Sequence, residues 1–208
     1  MNKITIVDYG SGNVLSAQKS FIKIAKDNNI DANVLISKKL NDVKNSTHIV
    51  LPGQGAFSTC MNGLKKTDGL VDEICEFALI KKKPFLGICV GMQMLAKMSE
   101  ERGANEGLGW IDGKIKKLSV DDLKLPHMGW NMVLPTNSKY NKLISTKDDY
   151  YFVHSYYFDC ADRDNILAET KYGINFASIV GKENIYGVQF HPEKSSSQGL
   201  NFIKNFLN

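Results

Sequence analysis

Along the first half of the chain, apolar and β-branched residues gather in short runs, separated by stretches in which they recur every three or four positions. The run Lys3–Val7 predicts a strand. The turn Tyr9-Gly10-Ser11-Gly12-Asn13 follows it, after which Val14, Ala17, Phe21, Ile22 and Ile24 stand at mostly helical spacing. Ala32–Ile36 and His48–Leu51 read as further strands, the second ending before Pro52-Gly53, and helical patterns continue through about Lys82. Pro84-Phe85-Leu86-Gly87-Ile88 is almost wholly apolar, as expected of a strand covered on both faces. Strands alternating with helices predict an α/β fold, a parallel central sheet with flanking helices. From about Gly109 the runs shorten: Trp130–Leu134, Tyr150–Phe158, Ile166–Lys171, Phe176–Val180 and Ile185–Gln189 predict antiparallel strands added to that core. A closing helix is expected from about Ser197 to Leu207. The expected sheet is mixed and mostly parallel.

Length and composition narrow the picture. With 208 residues and no internal repeat or low-complexity linker, a single domain over residues 1–208 is expected. Such a chain buries enough apolar surface to need neither disulfides nor a structural metal. Cys60, Cys75, Cys89 and Cys160 show no CxxC spacing, and the N-terminus opens on a strand pattern in place of a secretory signal, so a reducing cytoplasm is the expected location. No apolar run approaches the ~18 residues of a spanning helix, which argues against membrane insertion. The net charge of +4 is mild, and Lys81-Lys82-Lys83 reads as a solvated helix end, so nucleic-acid binding is not expected either.

The densest chemical signal is Gly87-Ile88-Cys89-Val90-Gly91-Met92-Gln93, a cysteine between two glycines where a buried strand passes into a helix. This is the pattern of a nucleophile elbow with sulfur in place of oxygen. Glycine is needed on both sides because the sharp turn leaves no room for Cβ atoms, and the nucleophile itself adopts strained backbone. A helix N-terminus there favours the thiolate. An isolated free cysteine is more often a buried core residue; the elbow singles out Cys89. A base and an orienting acid stand in Tyr186-Gly187-Val188-Gln189-Phe190-His191-Pro192-Glu193, where a strand runs into His191 and a proline turns the chain before Glu193. Together they make a Cys-His-Glu triad drawn from distant segments. His48, His127 and His154 read as structural, and their spacings do not suggest a metal site. The turn Pro52-Gly53-Gln54-Gly55 is able to aim a backbone N–H at a tetrahedral oxyanion, with Val90 N–H as the second donor. Gly10-Ser11-Gly12 lacks the third glycine of a dinucleotide fingerprint, since position 15 is leucine.

The elbow, His191-Pro192-Glu193 and the Pro52-Gly53-Gln54-Gly55 turn together resemble the triad-type, class I glutamine amidotransferases. Within that group, Pro126-His127-Met128-Gly129-Trp130-Asn131, Phe152-Val153-His154-Ser155-Tyr156 and His191-Pro192-Glu193-Lys194-Ser195 are similar to the glutaminase subunits of imidazole glycerol phosphate synthases. The likeness runs from Asp8-Tyr9-Gly10 to the final helix. It implies a Rossmann-like α/β fold that hydrolyses L-glutamine to glutamate and ammonia without a cofactor. Cys89 would form a γ-glutamyl thioester, His191 would pass a proton to ammonia, and Glu193 would orient His191. Gly53, Gln54, Gly55 and Val90 match the oxyanion hole. Gln93, Glu101, Ser155 and Tyr156 match positions that hold the substrate's α-amino and α-carboxylate groups, with Glu100 a neighbouring carboxylate candidate. Asn13, Met128, Trp130, Tyr151 and Lys194 match positions at the interface with a partner, a separate (β/α)₈-barrel cyclase. The family often carries valine where this chain has Gln54, but a backbone donor does not depend on that side chain. The catalytic residues alone leave two alternatives open: a paralogous glutaminase feeding a sugar-modifying amidotransferase, and a free-standing cysteine hydrolase.

Overall fold

A computed structural model of the protein describes residues 1–120, 123–136 and 138–208. Its first half follows the alternation of the sequence. Strand β1 (Asn2–Val7) leads to helix α1 (Val14–Asp27), β2 (Ala32–Ser37), the short α2 (Leu40–Lys44) and β3 (His48–Gly53). Helix α1 starts where the Asn13 side chain accepts the Ser16 N–H, and it buries Ala17, Phe21, Ile24 and Ala25 on one face. Ile22 lies on the other face and is exposed. The helical stretch towards Lys82 is three pieces: α3 (Phe57–Lys65), α4 (Leu70–Cys75) and a π-helical turn over Glu76–Ile80. Gly69, at φ 72°, supplies the left-handed residue that starts α4.

Strand β4 (Phe85–Cys89) runs into α5 (Val90–Gln93), and two-residue strands β5 (Met98–Ser99) and β6 (Asn105–Glu106) follow. The remaining elements are β7 (Gly113–Lys117), β8 (His127–Pro135), β9 (Asp148–His154), β10 (Tyr156–Cys160), β11 (Ile166–Tyr172), β12 (Ile174–Lys182), β13 (Ile185–Val188) and α6 (Ser196–Leu207). The order β2-β1-β3-β4-β13 forms a wholly parallel core, and β12, β10 and β7 continue the sheet beyond it in antiparallel pairs. Strand β11 joins β12 to a hairpin of β8 and β9. The mixed sheet is as expected. Strands β3, β4 and β13 are buried at every position, which is why their sequences lack polar alternation.

The structure departs from the sequence expectation in several places, among them the start of β8 at His127 where Trp130 was expected, and the short β5 and β6. Pro52 and Gly53 are part of β3, paired with Ile88 and Cys89, so the glycine turn begins one step later. The single run expected over Tyr150–Phe158 breaks at Ser155 into β9 and β10, which join different neighbours. Strand β7 was not expected, because only Ile115 of its five residues is a large apolar side chain. Among the described residues, no helix is long and apolar enough to cross a membrane. The three lysines at 81–83 are tied to the fold: Lys81 faces Glu73 and Glu76, Lys82 pairs with Glu183 at 2.7 Å, and Lys83 donates to the Ser46 carbonyl at 2.9 Å.

Candidate active site

The candidate residues gather at the carboxyl ends of the parallel strands, the usual place for a site in an open α/β sheet. Cys89 ends β4 with φ 55° and ψ −112°, a strained conformation for a residue with a Cβ. It persists because the surroundings leave the chain no alternative. A Cβ on Gly87 would strike the Gly91 carbonyl, one on Gly91 would strike the Leu51 carbonyl, and one on Gly53 would lie 2.5 Å from the Gly91 nitrogen. The elbow is thus wedged against β3, and Cys89 is only 5% exposed. The helix behind it is a single turn, so the macrodipole expected to favour the thiolate is small. Charge stabilisation of the sulfur has to come from side chains.

His191 leaves β13 in a turn held at both ends. Its N–H donates to the Tyr151 carbonyl at 2.9 Å, and its carbonyl accepts the Ser195 hydroxyl at 2.6 Å. Ser195 Oγ also accepts the Tyr151 N–H at 3.0 Å, so β9 and the histidine turn are stitched together twice. His191 Nδ1 lies 2.9 Å from Glu193 Oε1, with the two side chains 6% and 3% exposed. Burial by itself would lower the imidazole pKa. The Cys89 sulfur and the Glu193 carboxylate outweigh it and raise the pKa to about 10, so His191 is held as imidazolium beside the sulfur. Its Nε2 is buried and makes no hydrogen bond within ordinary distance, leaving that nitrogen for a reacting group.

The glycine turn is gripped on each flank. Tyr9 donates its hydroxyl to the Pro52 carbonyl at 2.6 Å, and Ser11 donates to the Gln54 carbonyl at 2.7 Å. Cys60 Sγ also approaches the Gln54 carbonyl, at 3.4 Å. Burial, with Cys60 next in weight, pushes the Tyr9 phenol well above its usual pKa, so it stays a donor. Gly55 has φ 93° with nothing near its missing Cβ, whereas Gly53 is required by close approach alone.

A cavity of about 250 Å³ opens between these elements. It brings together Cys89, His191, Gln54, Gly55, Val90, Gln93, Glu101, Ser155, Tyr156 and Lys194 from the sequence expectation. Gly53 and Glu193 stand behind its wall. Of the two neighbouring carboxylates, Glu101 reaches the cavity and also accepts the Phe57 N–H at 2.7 Å, while Glu100 is exposed. Asn13, Met128, Trp130 and Tyr151 lie outside. Asn13 caps α1; Met128 and Trp130 are 61% and 54% exposed on β8; the Tyr151 ring has Trp130 at 6.3 Å and the Lys194 ammonium at 5.9 Å. His154, read as structural, lines the cavity, and His127 packs behind it; His48 contacts Thr47 and Phe206 away from the site. Tyr9, Ser11, Gln189 and Ser195 fall inside segments that the sequence analysis quotes, but no role of their own was expected for them. A larger cavity, about 730 Å³, opens at the opposite end of the parallel strands beside Pro84 and Tyr186, and no cysteine or histidine lines it.

A thiol next to an imidazolium, a carboxylate behind it and backbone donors beside a small polar cavity can carry out acyl transfer. The family description "Glutamine amidotransferase class-I" matches residues 5–208. The imidazole glycerol phosphate synthase subunit HisH of Pelagibacter ubique is 47% identical over 208 residues, spanning 99% of both chains. The subunit of the same name from Rhodospirillum rubrum is 44% identical, over 99% of this chain and 98% of that one. Among solved structures, a glutamine amidotransferase shares the fold at a TM-score of 0.71 with 15% identity, covering 99% of each chain. A putative GMP synthase subunit from Thermoplasma acidophilum gives 0.67 at 18% identity, over all of this chain and 92% of that one. By the extent of these matches the chain belongs to the class I glutamine amidotransferases, and within them to the group of the HisH subunits.

Proposed function

We propose that this chain is the glutaminase subunit of an imidazole glycerol phosphate synthase, acting as one domain on L-glutamine in the cytoplasm. The observation that carries the chemistry is the buried thiol and imidazolium at the wall of one cavity, with the Glu193 carboxylate behind the imidazolium. The Cys89 thiolate attacks the γ-carboxamide carbon, and the carbonyl oxygen takes the negative charge. Val90 N–H and an N–H of the Gln54–Gly55 turn receive that oxyanion. His191 then gives its proton to the departing nitrogen, so the C–N bond breaks to ammonia and a γ-glutamyl thioester remains on Cys89. Water, deprotonated by His191, attacks the thioester and releases glutamate.

Substrate recognition follows from which groups are already engaged. The Ser155 carbonyl accepts Leu118 N–H, and the Tyr156 carbonyl accepts Gln93 and His154, so this segment offers a ligand donors in preference to acceptors. That suits an α-carboxylate. Glu101 has one oxygen on Phe57 N–H and a second for an α-ammonium. The partner is a separate (β/α)₈-barrel cyclase seated on the face that carries Met128, Trp130, Tyr151, Lys194 and Asn13. Free ammonia is mostly protonated at neutral pH and then no nucleophile, which favours direct transfer into the partner.

The interface residues also reach the catalytic turn: Tyr151 binds the backbone of His191 and the side chain of Ser195. Partner binding is therefore expected to raise turnover by shifting the population of donor-ready conformations. The test is glutamate release by the chain alone, with a cyclase, and with cyclase plus its nucleotide ligand. The expected result is weak turnover alone and a rise of about a hundredfold in the full mixture, the worth of one oxyanion donor. Equal turnover in all three would favour a free-standing hydrolase.

A further inference from the structure

From the cavity wall inward runs a chain of polar groups that the acyl-transfer steps leave unused. Its fixed point is the Tyr156 carbonyl, which can only accept. Gln93 Nε2 donates to it at 3.1 Å and to Gln189 Oε1 at 3.1 Å, and Gln189 Nε2 lies 3.8 Å from the Cys89 sulfur. The carbonyl therefore sets the orientation of both amides. On its other side, His154 Nδ1 lies 2.9 Å from the same oxygen and must carry the hydrogen. In a neutral ring His154 Nε2 is then bare and accepts from His127 Nδ1 at 2.9 Å. His127 Nε2 is bare in turn and accepts Asn131 Nδ2 at 3.1 Å, while the same Asn131 nitrogen donates to the Lys171 carbonyl at 3.0 Å. Burial keeps both rings neutral, pushing His127 down to about 4 and His154 down to about 3. Stacking of His127 on Tyr172 and Phe152, with centroids at 4.0 and 4.9 Å, fixes its plane. Only one set of directions satisfies every partner.

The far end of this chain meets the nucleophile. As a thiol, Cys89 has the Val153 carbonyl as an acceptor at 4.0 Å. As a thiolate it has nothing to donate, and the Gln189 N–H becomes its favourable neighbour. The amide thus discriminates between the two protonation states where the one-turn helix gives little help. We propose that Gln189 is a positioning residue for the nucleophile, its amide aimed through Gln93 and the Tyr156 carbonyl so that it donates to the Cys89 thiolate; the assignment rests on reading Cys89 as the nucleophile. The other ionisable groups facing the sulfur or its cavity are His191 from the turn after β13 with Glu193 behind it, Lys194 beside them, Tyr9 after β1, Glu101 after β5, His154 at the end of β9 and Tyr156 at the start of β10.

The test follows the rate of Cys89 alkylation by iodoacetamide against pH in the full chain, reading the Cys89 peptide by mass. Gln189→Leu is expected to raise the alkylation midpoint by about one pH unit and, assayed with the partner subunit, to lower kcat about tenfold while KM changes less than about twofold. Gln189→Glu, which keeps size and an acceptor but sets a carboxylate beside the sulfur, raises the midpoint further. An unchanged midpoint in folded variants overturns the proposal. Should neither variant fold, the ¹⁵N side-chain amide resonance of Gln189 in the wild-type chain decides. It is expected to shift with pH at the midpoint of Cys89 alkylation, because its N–H donates to the thiolate and not to the thiol. A Gln189 amide that does not respond at that midpoint defeats the proposal. Alkylation consumes no glutamine, so a wild-type chain that alkylates at Cys89 yet releases no glutamate with its partner counts against the glutaminase reading alone.

Discussion

Glu193→Gln isolates the charge behind the histidine while preserving its shape. In the wild type the carboxylate sits 2.9 Å from His191 Nδ1, with both side chains almost fully buried, so solvent screens the pair very little. A hydrogen bond to a charged group is worth about 1.5–3 kcal/mol. Neutralising one side should therefore lower the His191 pKa by about one to two units and reduce kcat/KM for glutamine by a factor of about 10 to 100. The sign is definite. His191 is raised to about 10 in the folded chain, above the ~6.5 of a free imidazole, so the pair's contribution to stability is fully present below about pH 6.5 and is lost as pH rises towards 10. In Glu193→Gln that loss, and the alkaline limb of the kcat/KM profile, should move to lower pH. The assay is glutamate release against pH with saturating partner subunit. A variant with wild-type kcat/KM and an unmoved alkaline limb would refute the argument that Glu193 holds the imidazolium.

Cys89→Ala should abolish glutamine-dependent turnover yet leave the complex able to use ammonium salts at alkaline pH, measured as product formation with each nitrogen source. Gly91→Ala sets a Cβ onto the Leu51 carbonyl and should cost at least about 2–3 kcal/mol, read by calorimetry as a Tm drop of about 5–10 °C. Met128→Ala combined with Trp130→Ala, on side chains 61% and 54% exposed, should leave the Tm of the isolated chain within about 2 °C. The same double variant should weaken partner binding at least about tenfold, measured by titration calorimetry.

How much of this was legible beforehand depends on the physics of each element. Strands β3, β4 and β13 announced themselves because burial on both faces demands apolar runs, and the elbow did so because steric exclusion at Gly87 and Gly91 leaves no other residue. Strand β7 was invisible: its alternating Lys114 and Lys116 belong to an outward face, and Ile115 alone marks the inward one. The break at Ser155 was equally hidden, since β9 and β10 are similar in composition and differ only in their neighbours. A strand's sequence records which face is buried. It does not record which strand lies beside it.

The same distinction governs the site. Cys89, His191 and Glu193 sit in short segments whose local geometry their own neighbours dictate, so residue type and spacing were enough to suggest them. The residues that grip those segments come from elsewhere: Tyr9 and Ser11 from the loop after β1 hold carbonyls 43 positions away, and Ser195 joins β9 to the histidine turn across 44. Gln189 is further concealed, because a polar residue at a strand end reads as an exposed boundary, yet it is fully buried with its amide between Gln93 and the sulfur. A buried, hydrogen-bonded amide is costly to leave unpaired, so its orientation is fixed by the partners that the fold supplies. The candidate reacting atoms are thus encoded locally, whereas the groups that hold them in place are encoded in the order of the strands.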